Sequence, residues 1–389
     1  MSSSPVITMS LERMPERSLI VGAVASSLCI IGWVVQRDQF YEAYLTSFLF
    51  WISLSLGLMG LSLIHGMTGG AWGRMIRQIL AAGRDTLPLM GLLFVPIWLG
   101  AASIYEWADP DFIKSHATVA KKVGYLNLTG YRLRALCYFA AWTIISQIAA
   151  RYSRHADAHV DSRGSLRLQK VSGLGFMIYG FTFTLAAVDW TMSLEPEWYS
   201  TMYSLIQIAG QGVAAFSFAI LILVSLRNDK PWSEQINPRQ LGHLGSLLMA
   251  SVMFWAYCSY FQYLVIWSGN LPEENIWYVR RTQGGWEYLA IGLFILHFAI
   301  PFGLLLSRTL KQHGPSLRVV AIWLLAMHFV DLYWIVVPAF QRQPGGSHGF
   351  TFTWLHIPTF LAIGGCWIAC FSWRLSRVAS VSMIEGGRL

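Results

Sequence analysis

Long apolar runs separated by short polar segments dominate the chain. Most runs are long enough for a helix to cross a bilayer core of about 30 Å at about 1.5 Å per residue. The pattern predicts ten transmembrane helices, at residues 18–35, 43–67, 86–105, 131–150, 171–190, 199–226, 241–267, 288–306, 319–340 and 350–373. Only 12% of the residues are charged, against about 25% in a soluble domain. We therefore expect an all-α, polytopic membrane protein.

The basic residues between the apolar runs predict its orientation. If the N-terminus is cytoplasmic, 19 of the 28 Lys and Arg residues fall on the cytoplasmic side, which is the positive-inside bias. The chain then divides into a cytoplasmic tail at 1–17, a membrane domain at 18–373 and a second cytoplasmic tail at 374–389. Because the basic residues are scattered between spans, the formal charge of +8 indicates topology and no nucleic-acid partner.

A weak internal repeat relates the fifth and ninth predicted spans. Val188-Asp189 is followed by Pro196, and Val330-Asp331 is followed by Pro338 at the same distance. Both spans are predicted to run outward. We therefore expect two parallel four-helix bundles, at about 43–190 and 199–340, with the first and tenth helices peripheral.

Asp331 is the carboxylate deepest within an apolar run, and His328 precedes it by three residues on the same helix face. Burying an ionisable group in hydrocarbon costs several kcal/mol, so such groups face a partner, a cavity or a proton path. A carboxylate beside an imidazole can pass a proton. The alternative is a purely structural buried pair or a helix cap.

Other polar residues in the spans extend this hypothesis. Asp189 lies near the outer end of its span, as a proton entry or as an interface residue paired with Arg280 or Arg132. His297 lies in the middle of its span, as a hydrogen-bonded core residue or as part of a proton relay, and His65 lies near the inner end of another span. The predicted proton path thus comprises Asp331, His328, His297, Asp189 and His65. No span offers several histidines for haem, and no motif of soluble catalysis or metal binding is present.

The loops on the predicted outer side are acidic and aromatic, as in residues 105–111, 195–199 and 267–281. They suit either the docking of another protein or a folded cap over the helix ends. The stretches 189–203, 267–274, 277–281 and 284–286 resemble the F subunit of bacterial alternative complex III, a quinol:electron acceptor oxidoreductase. The resemblance covers about 87–373. The family's Asp-Trp-x-Met-Ser-Leu-Glu-Pro motif matches Asp189 to Pro196, and its ninth-helix Asp matches Asp331.

This resemblance implies a subunit of the bacterial inner membrane with ten transmembrane helices. It implies as partners a homologous C subunit, a periplasmic iron–sulfur subunit, multihaem cytochrome c subunits and membrane lipids. It also implies a proposed proton path and no covalently bound or metal-ligated cofactor. The chain departs from the family at His328, where Arg is expected, and at Gly242-His243, where His-Asp is expected.

Three functions follow from these observations. The first is a membrane subunit that anchors redox partners and conducts protons. The second is a subunit that itself binds menaquinone or another quinone, between outer helix ends lined by Tyr105, Trp107, Trp190 and Trp267. The third is a purely structural anchor or an independent transporter.

Overall fold

The computed structural model describes residues 9–158, 162–227, 236–341 and 349–386. These ranges are almost entirely helical, and no β-strand occurs within them. The predicted all-α class is therefore confirmed.

Thirteen of the described helices form the body of the molecule. They are α1 Met9–Val35, α2 Arg37–Thr68, α3 Ala71–Arg84, α4 Leu87–Leu93, α5 Val95–Ile104, α8 Leu128–Ala158, α9 Ser162–Trp190, α10 Tyr203–Ser225, α11 Pro238–Gly269, α13 Trp286–Gly292, α14 Ile300–Leu306, α16 Gly314–Phe340 and α17 His356–Gly386. A π-helical segment, Leu293–Ala299, joins α13 to α14. Shorter helices lie in the connections: α6 Pro110–Ser115, α7 Ala117–Ala120, α12 Pro272–Arg281 and α15 Arg308–Gln312, with 3₁₀ turns at Glu106–Ala108 and Met192–Leu194.

Within the described residues, nine helices are long and apolar enough to cross a membrane, and a bent pair adds a tenth. The pair is Ala71–Leu93 with Val95–Ile104, and its axis turns by 50°. Pro96 lies in the first turn of the second helix and has no N–H to continue the hydrogen bonding of the first, which explains the bend. The chain is thus a multi-pass membrane protein.

Helix α2 is the central element of the bundle, because most of its length is buried. It packs against α9 and α3 from the first half of the chain, α10 and α16 from the second, and α17. In the first half α8 pairs with α9, and in the second α10 packs against α11 and α16. Helix α1 packs mainly on α17. The division into two parallel bundles stays a prediction.

Several boundaries differ from those expected. Helix α1 begins at Met9 and α17 continues to Gly386, so helix extends into both expected tails. Residues 1–8 and 387–389 lie outside the described ranges. Helix α3 buries Ile76 and Ile79 completely against the bundle.

The connections at 105–127, 191–202 and 270–285 lie at one end of the bundle, which we call the acidic end. The cytoplasmic or external location of that end rests on the distribution of basic residues. Helix α16 runs toward the acidic end and carries both His328 and Asp331.

Candidate functional site

The Asp331 carboxylate is buried inside the bundle without a counterion. Only 5% of the residue is exposed. Its Oδ2 atom accepts one hydrogen bond, of 3.1 Å, from the indole Nε1 of Trp255 on α11. Among the described residues, no Lys, Arg or His forms an ion pair with it. A single neutral donor compensates poorly for burying a negative charge, so the surroundings favour the protonated acid.

Trp255 contacts both Asp331 and one of the two buried histidines, His297. The His297 ring lies against the Trp255 ring, with centroids 4.0 Å apart. Gly210 of α10 provides the space beside them: a Cβ there would lie 3.2 Å from His328 Cε1 and 3.7 Å from Trp255 Cδ1. Asp331 and His328 of α16, Trp255 of α11 and His297 of the π-helical segment therefore form one polar cluster beside α10, which we call the Asp331 cluster.

His328 is held by α2 and forms no hydrogen bond with Asp331. Its Nε2 lies 2.8 Å from Ser53 Oγ, and the Ser53 hydroxyl donates to the Phe50 carbonyl at 2.7 Å. Because that donation uses the only hydroxyl proton, His328 Nε2 carries a hydrogen and donates to Ser53. The Nδ1 atom is then an unprotonated acceptor without a hydrogen-bond partner. The carboxylate–imidazole neighbours expected from sequence thus have different partners.

His297 lies in the π-helical segment that precedes Pro301. Pro301 has no N–H to donate to the carbonyl of His297, and the Ile300 N–H bonds to the carbonyl of Ile295, five residues earlier. The His297 side chain is fully buried, and neither ring nitrogen has a hydrogen-bond partner. π-segments occur frequently at functional sites, and buried polar atoms without partners are costly. Both features single out His297 as a functional candidate.

A cavity of about 760 Å³ opens beside the cluster. It lies between α11, α12, α13 and α16, and Asp331 and Trp255 form part of its wall. The lining is mostly apolar and aromatic. Its polar groups include Gln262, whose Nε2 donates to Tyr278 Oη at 3.3 Å, and Ser259, whose Oγ has no hydrogen-bond partner. Burial raises the pKa of Tyr278 to about 12, so its hydroxyl keeps its proton near neutral pH.

Asp189 has a different environment. Arg134 of α8 contacts both carboxylate oxygens, from Nε to Oδ2 and from Nη2 to Oδ1, each at 2.8 Å. The Tyr138 hydroxyl donates to Oδ2 at 2.8 Å. The sequence led us to consider Asp189 as an interface residue paired with Arg280 or Arg132. Its partner is indeed an arginine, but it is Arg134. The carboxylate is neutralised and held in place.

Arg280 instead pairs with Glu195 of the acidic end, at 2.7 Å. Arg281 also contacts Glu195, at 2.8 Å, and its Nη2 donates to the Ile335 carbonyl at 2.7 Å. Arg281 is almost fully buried. This ion-pair network joins the 191–202 connection, α12 and the end of α16, and it supports the expectation of a folded cap at the acidic end.

The four residues expected to line a quinone slot are not all neighbours. Tyr105 stacks on Trp107 with centroids 5.2 Å apart, and the Tyr105 hydroxyl donates to the Trp190 carbonyl at 3.1 Å. These three side chains are buried in the core. Trp267 lies near the end of α11 and is 66% exposed. None of the four belongs to the lining described for the 760 Å³ cavity.

His65 lies away from the other predicted proton-path residues, at the opposite end of α2. It packs against Trp72 with ring centroids 5.4 Å apart. Ser53, which contacts His328, lies twelve residues before it on the same helix, or about 18 Å along the axis. Of the five predicted residues, the structure brings together Asp331, His328 and His297, and places Asp189 and His65 elsewhere.

Sequence reasoning missed Trp255 and Ser53. Each is an ordinary residue in an apolar run, and its role follows only from the neighbouring helix that it contacts. Gly210 was missed for the same reason. His297 stands out in the sequence as a polar residue inside an apolar run, and Pro301, four residues later, is the only signal there for the irregular helix.

Comparison with known proteins adds no relatives, since no family model matches the chain and no curated protein matches its sequence.

Proposed function

We propose that this chain is a membrane subunit of a quinol-oxidising electron-transfer complex and that the Asp331 cluster carries protons within it. The observation that supports the proposal is the Asp331 carboxyl group, which is buried beside a cavity and has no counterion in the part of the chain that the structure describes. The proposed complex resembles bacterial alternative complex III. In it the chain lies in the inner membrane, next to a homologous membrane subunit and to iron–sulfur and multihaem cytochrome c subunits outside.

The cluster has the parts that a proton relay needs. Asp331 can hold a proton on Oδ1, which has no hydrogen-bond partner among the described residues, because Trp255 occupies only Oδ2. His328 Nδ1 and both nitrogens of His297 are free to accept or donate hydrogen bonds. Proton transfer requires groups that can change partners, and these atoms are not committed to fixed partners.

The first experiment tests the association. An affinity-tagged chain is purified from its native membrane in mild detergent, and the preparation is analysed for haem c and iron–sulfur clusters. We expect both to co-purify in constant ratio to the tagged chain. Purification of the chain alone, with transport of a solute in vesicles, would contradict the proposal and favour an independent transporter.

The second experiment tests the proton role. Asp331→Asn in the purified complex, reconstituted into vesicles, is expected to preserve assembly and to lower proton translocation by roughly tenfold or more, since positioned proton-transfer groups contribute about 10²–10⁴-fold. The matched control is Asp111→Asn, an exposed acid of the acidic end. Unchanged translocation in Asp331→Asn would remove Asp331 from the route and leave a structural anchor.

The cavity supports a second candidate function, the binding of a quinone by this chain. It is apolar, large enough for a ring with part of an isoprenoid tail, and carries a few polar groups at Asp331, Ser259 and Gln262, as small-molecule sites do. A photoreactive quinone analogue should label α11 or α13, and Ala256→Trp, which fills the cavity, should prevent labelling. Labelling near Tyr105 and Trp107 instead would favour the slot expected from sequence.

A further inference from the structure

A second acid–base pair lies near the acidic end, away from the Asp331 cluster. Glu42 of α2 directs Oε1 toward Nε2 of His356 at the start of α17, at 3.9 Å. The Glu42 side chain is 12% exposed and that of His356 is 1% exposed. Glu42 lies one residue before the second predicted span, 43–67, so the apolar pattern does not single it out as an intramembrane acid.

The hydrogen bonding of His356 shows that the ring nitrogen facing Glu42 carries no hydrogen. His356 Nδ1 lies 3.1 Å from the Thr353 carbonyl, which can only accept, so Nδ1 carries the ring hydrogen. Nε2 is then an acceptor, and no described residue forms a hydrogen bond with it. A carboxylate facing an unprotonated imidazole nitrogen would place two acceptors against each other. One additional proton removes this conflict and provides the donor that the pair lacks.

The segment that carries His356 is fixed against α2 by independent contacts. Thr353 Oγ1 donates to Gln39 Oε1 at 2.8 Å, and Trp354 Nε1 donates to Gln36 Oε1 at 3.0 Å. Thr359 Oγ1 lies 2.9 Å from Ser47 Oγ. Contacts on both sides of His356 therefore hold its ring near Glu42, so the approach of the pair is a feature of the packed helices.

The pair also has access to polar surroundings. Glu42 forms part of the wall of a polar cavity of about 830 Å³ at the acidic end, whose lining includes Arg37, Asp38 and Thr351. Among the described residues, the charged or titratable groups near Glu42 are Arg37 and Asp38 of α2, which line the same cavity, and His356 of α17. Tyr333 of α16 is also near, with its ring 5.1 Å from that of His356. A proton on the pair can exchange with this cavity.

We propose that Glu42 and His356 form a proton-binding site that holds one proton, on the Glu42 carboxyl group at neutral pH, and exchanges it with the polar cavity. If the site is the opening of a proton route, that role rests on the proposed function. Glu42 and Ser53, the partner of His328, lie eleven residues apart on one face of α2, about 16 Å along the helix. The pair therefore lies between the Asp331 cluster and the acidic end.

Infrared difference spectroscopy tests the site directly. The purified full chain in lipid nanodiscs is titrated, and the C=O stretch of protonated carboxylic acids is followed. Asp331→Asn provides the background, so that Asp331 does not contribute to the signal. We expect a carboxylic-acid band at neutral pH that disappears in alkali. It should be lost in Glu42→Gln and retained in the control Asp38→Asn, which changes a neighbouring acid of the same cavity.

A second variant keeps the test decisive if Glu42→Gln does not fold. His356→Phe removes the acceptor but leaves Glu42, so the band should move to the higher frequency of a less strongly hydrogen-bonded acid. An unchanged band in Glu42→Gln, or in His356→Phe, would overturn the proposal. Failure of the Asp331 proton route leaves this spectrum unaffected, because the measurement involves neither turnover nor partner subunits.

Discussion

Asp189 and Asp331 occupy matching places in the weak sequence repeat, yet their surroundings differ. Asp189 receives three hydrogen bonds, two from the Arg134 guanidinium and one from Tyr138. Asp331 receives one, from a neutral indole. Both side chains are buried, so burial does not distinguish them. The difference is the counterion.

The comparison teaches which buried acid is free to change its protonation. An acid held by a bidentate arginine is stabilised as an anion, and protonating it would leave the guanidinium buried and unpaired. An acid with one neutral donor has no such constraint. We therefore interpret Asp189 as a structural clamp between α8 and α9, and Asp331 as the acid whose proton can move. Four sets of variants test the surroundings of the two acids.

The largest effect is expected when the clamp is broken. Arg134→Met leaves Asp189 buried without a cation, which should destabilise the protein by about 3–5 kcal/mol. The drop in melting temperature in detergent would measure the loss. The control is Arg132→Met on the same helix, where the guanidinium lies over Trp98 and the expected loss is about 1 kcal/mol or less. Equal losses would contradict the clamp.

A smaller loss is expected from crowding the Asp331 cluster. Gly210→Ala places a methyl group 3.2 Å from His328 Cε1, and overpacking should cost about 1–3 kcal/mol. Gly212→Ala, on the same helix, would meet only Ser251 Oγ at 3.9 Å and should be neutral or slightly stabilising. The melting temperatures of the two variants measure this difference in stability. If the two substitutions have the same effect, the close packing at Gly210 is not important.

Removing one hydrogen bond from each acid allows a finer comparison of their charge states. Tyr138→Phe removes a bond to an anion and should cost about 1.5–3 kcal/mol, whereas the bond from Trp255 to a neutral acid should contribute about 0.5–1.5 kcal/mol. A double-mutant cycle of Trp255→Phe with Asp331→Leu isolates the second value from the loss of indole volume. A coupling energy between Trp255 and Asp331 as large as the stability loss in Tyr138→Phe would indicate that Asp331 is ionised.

The smallest effect on stability is expected from Asp331→Asn, about 0.5 kcal/mol or less. The amide oxygen can still accept from Trp255, and the substitution removes no counterion interaction. Chemical denaturation at neutral pH measures it, and Asp189→Asn, which leaves Arg134 without its anion, is the comparison. A large loss for Asp331→Asn would mean that its negative charge stabilises the fold.

Much of the architecture could be predicted from the pattern of apolar residues. Ten spans were expected, and the described residues contain nine long apolar helices and a bent pair. The departures have local causes. Pro96 bends the third span, and α1 and α17 continue beyond their apolar runs because a helix can extend into water without losing its hydrogen bonds.

The candidate site could be predicted only in part. Asp331, His328 and His297 stand out because polar residues are costly inside apolar runs. Their partners do not stand out, since Trp255, Ser53 and Gly210 are ordinary in such a run. Glu42 was missed because its burial comes from α17, more than three hundred residues later in the chain.

The sequence alone determined the class of protein, the approximate positions of its spans and the few acids that lie within them, since these follow from the cost of placing polar groups in hydrocarbon. Only the tertiary structure decided which acid has a counterion, which histidine nitrogen lacks a hydrogen-bond partner and where the cavities lie. Those properties depend on distances between helices that are remote in sequence, and single-residue preferences do not encode such distances.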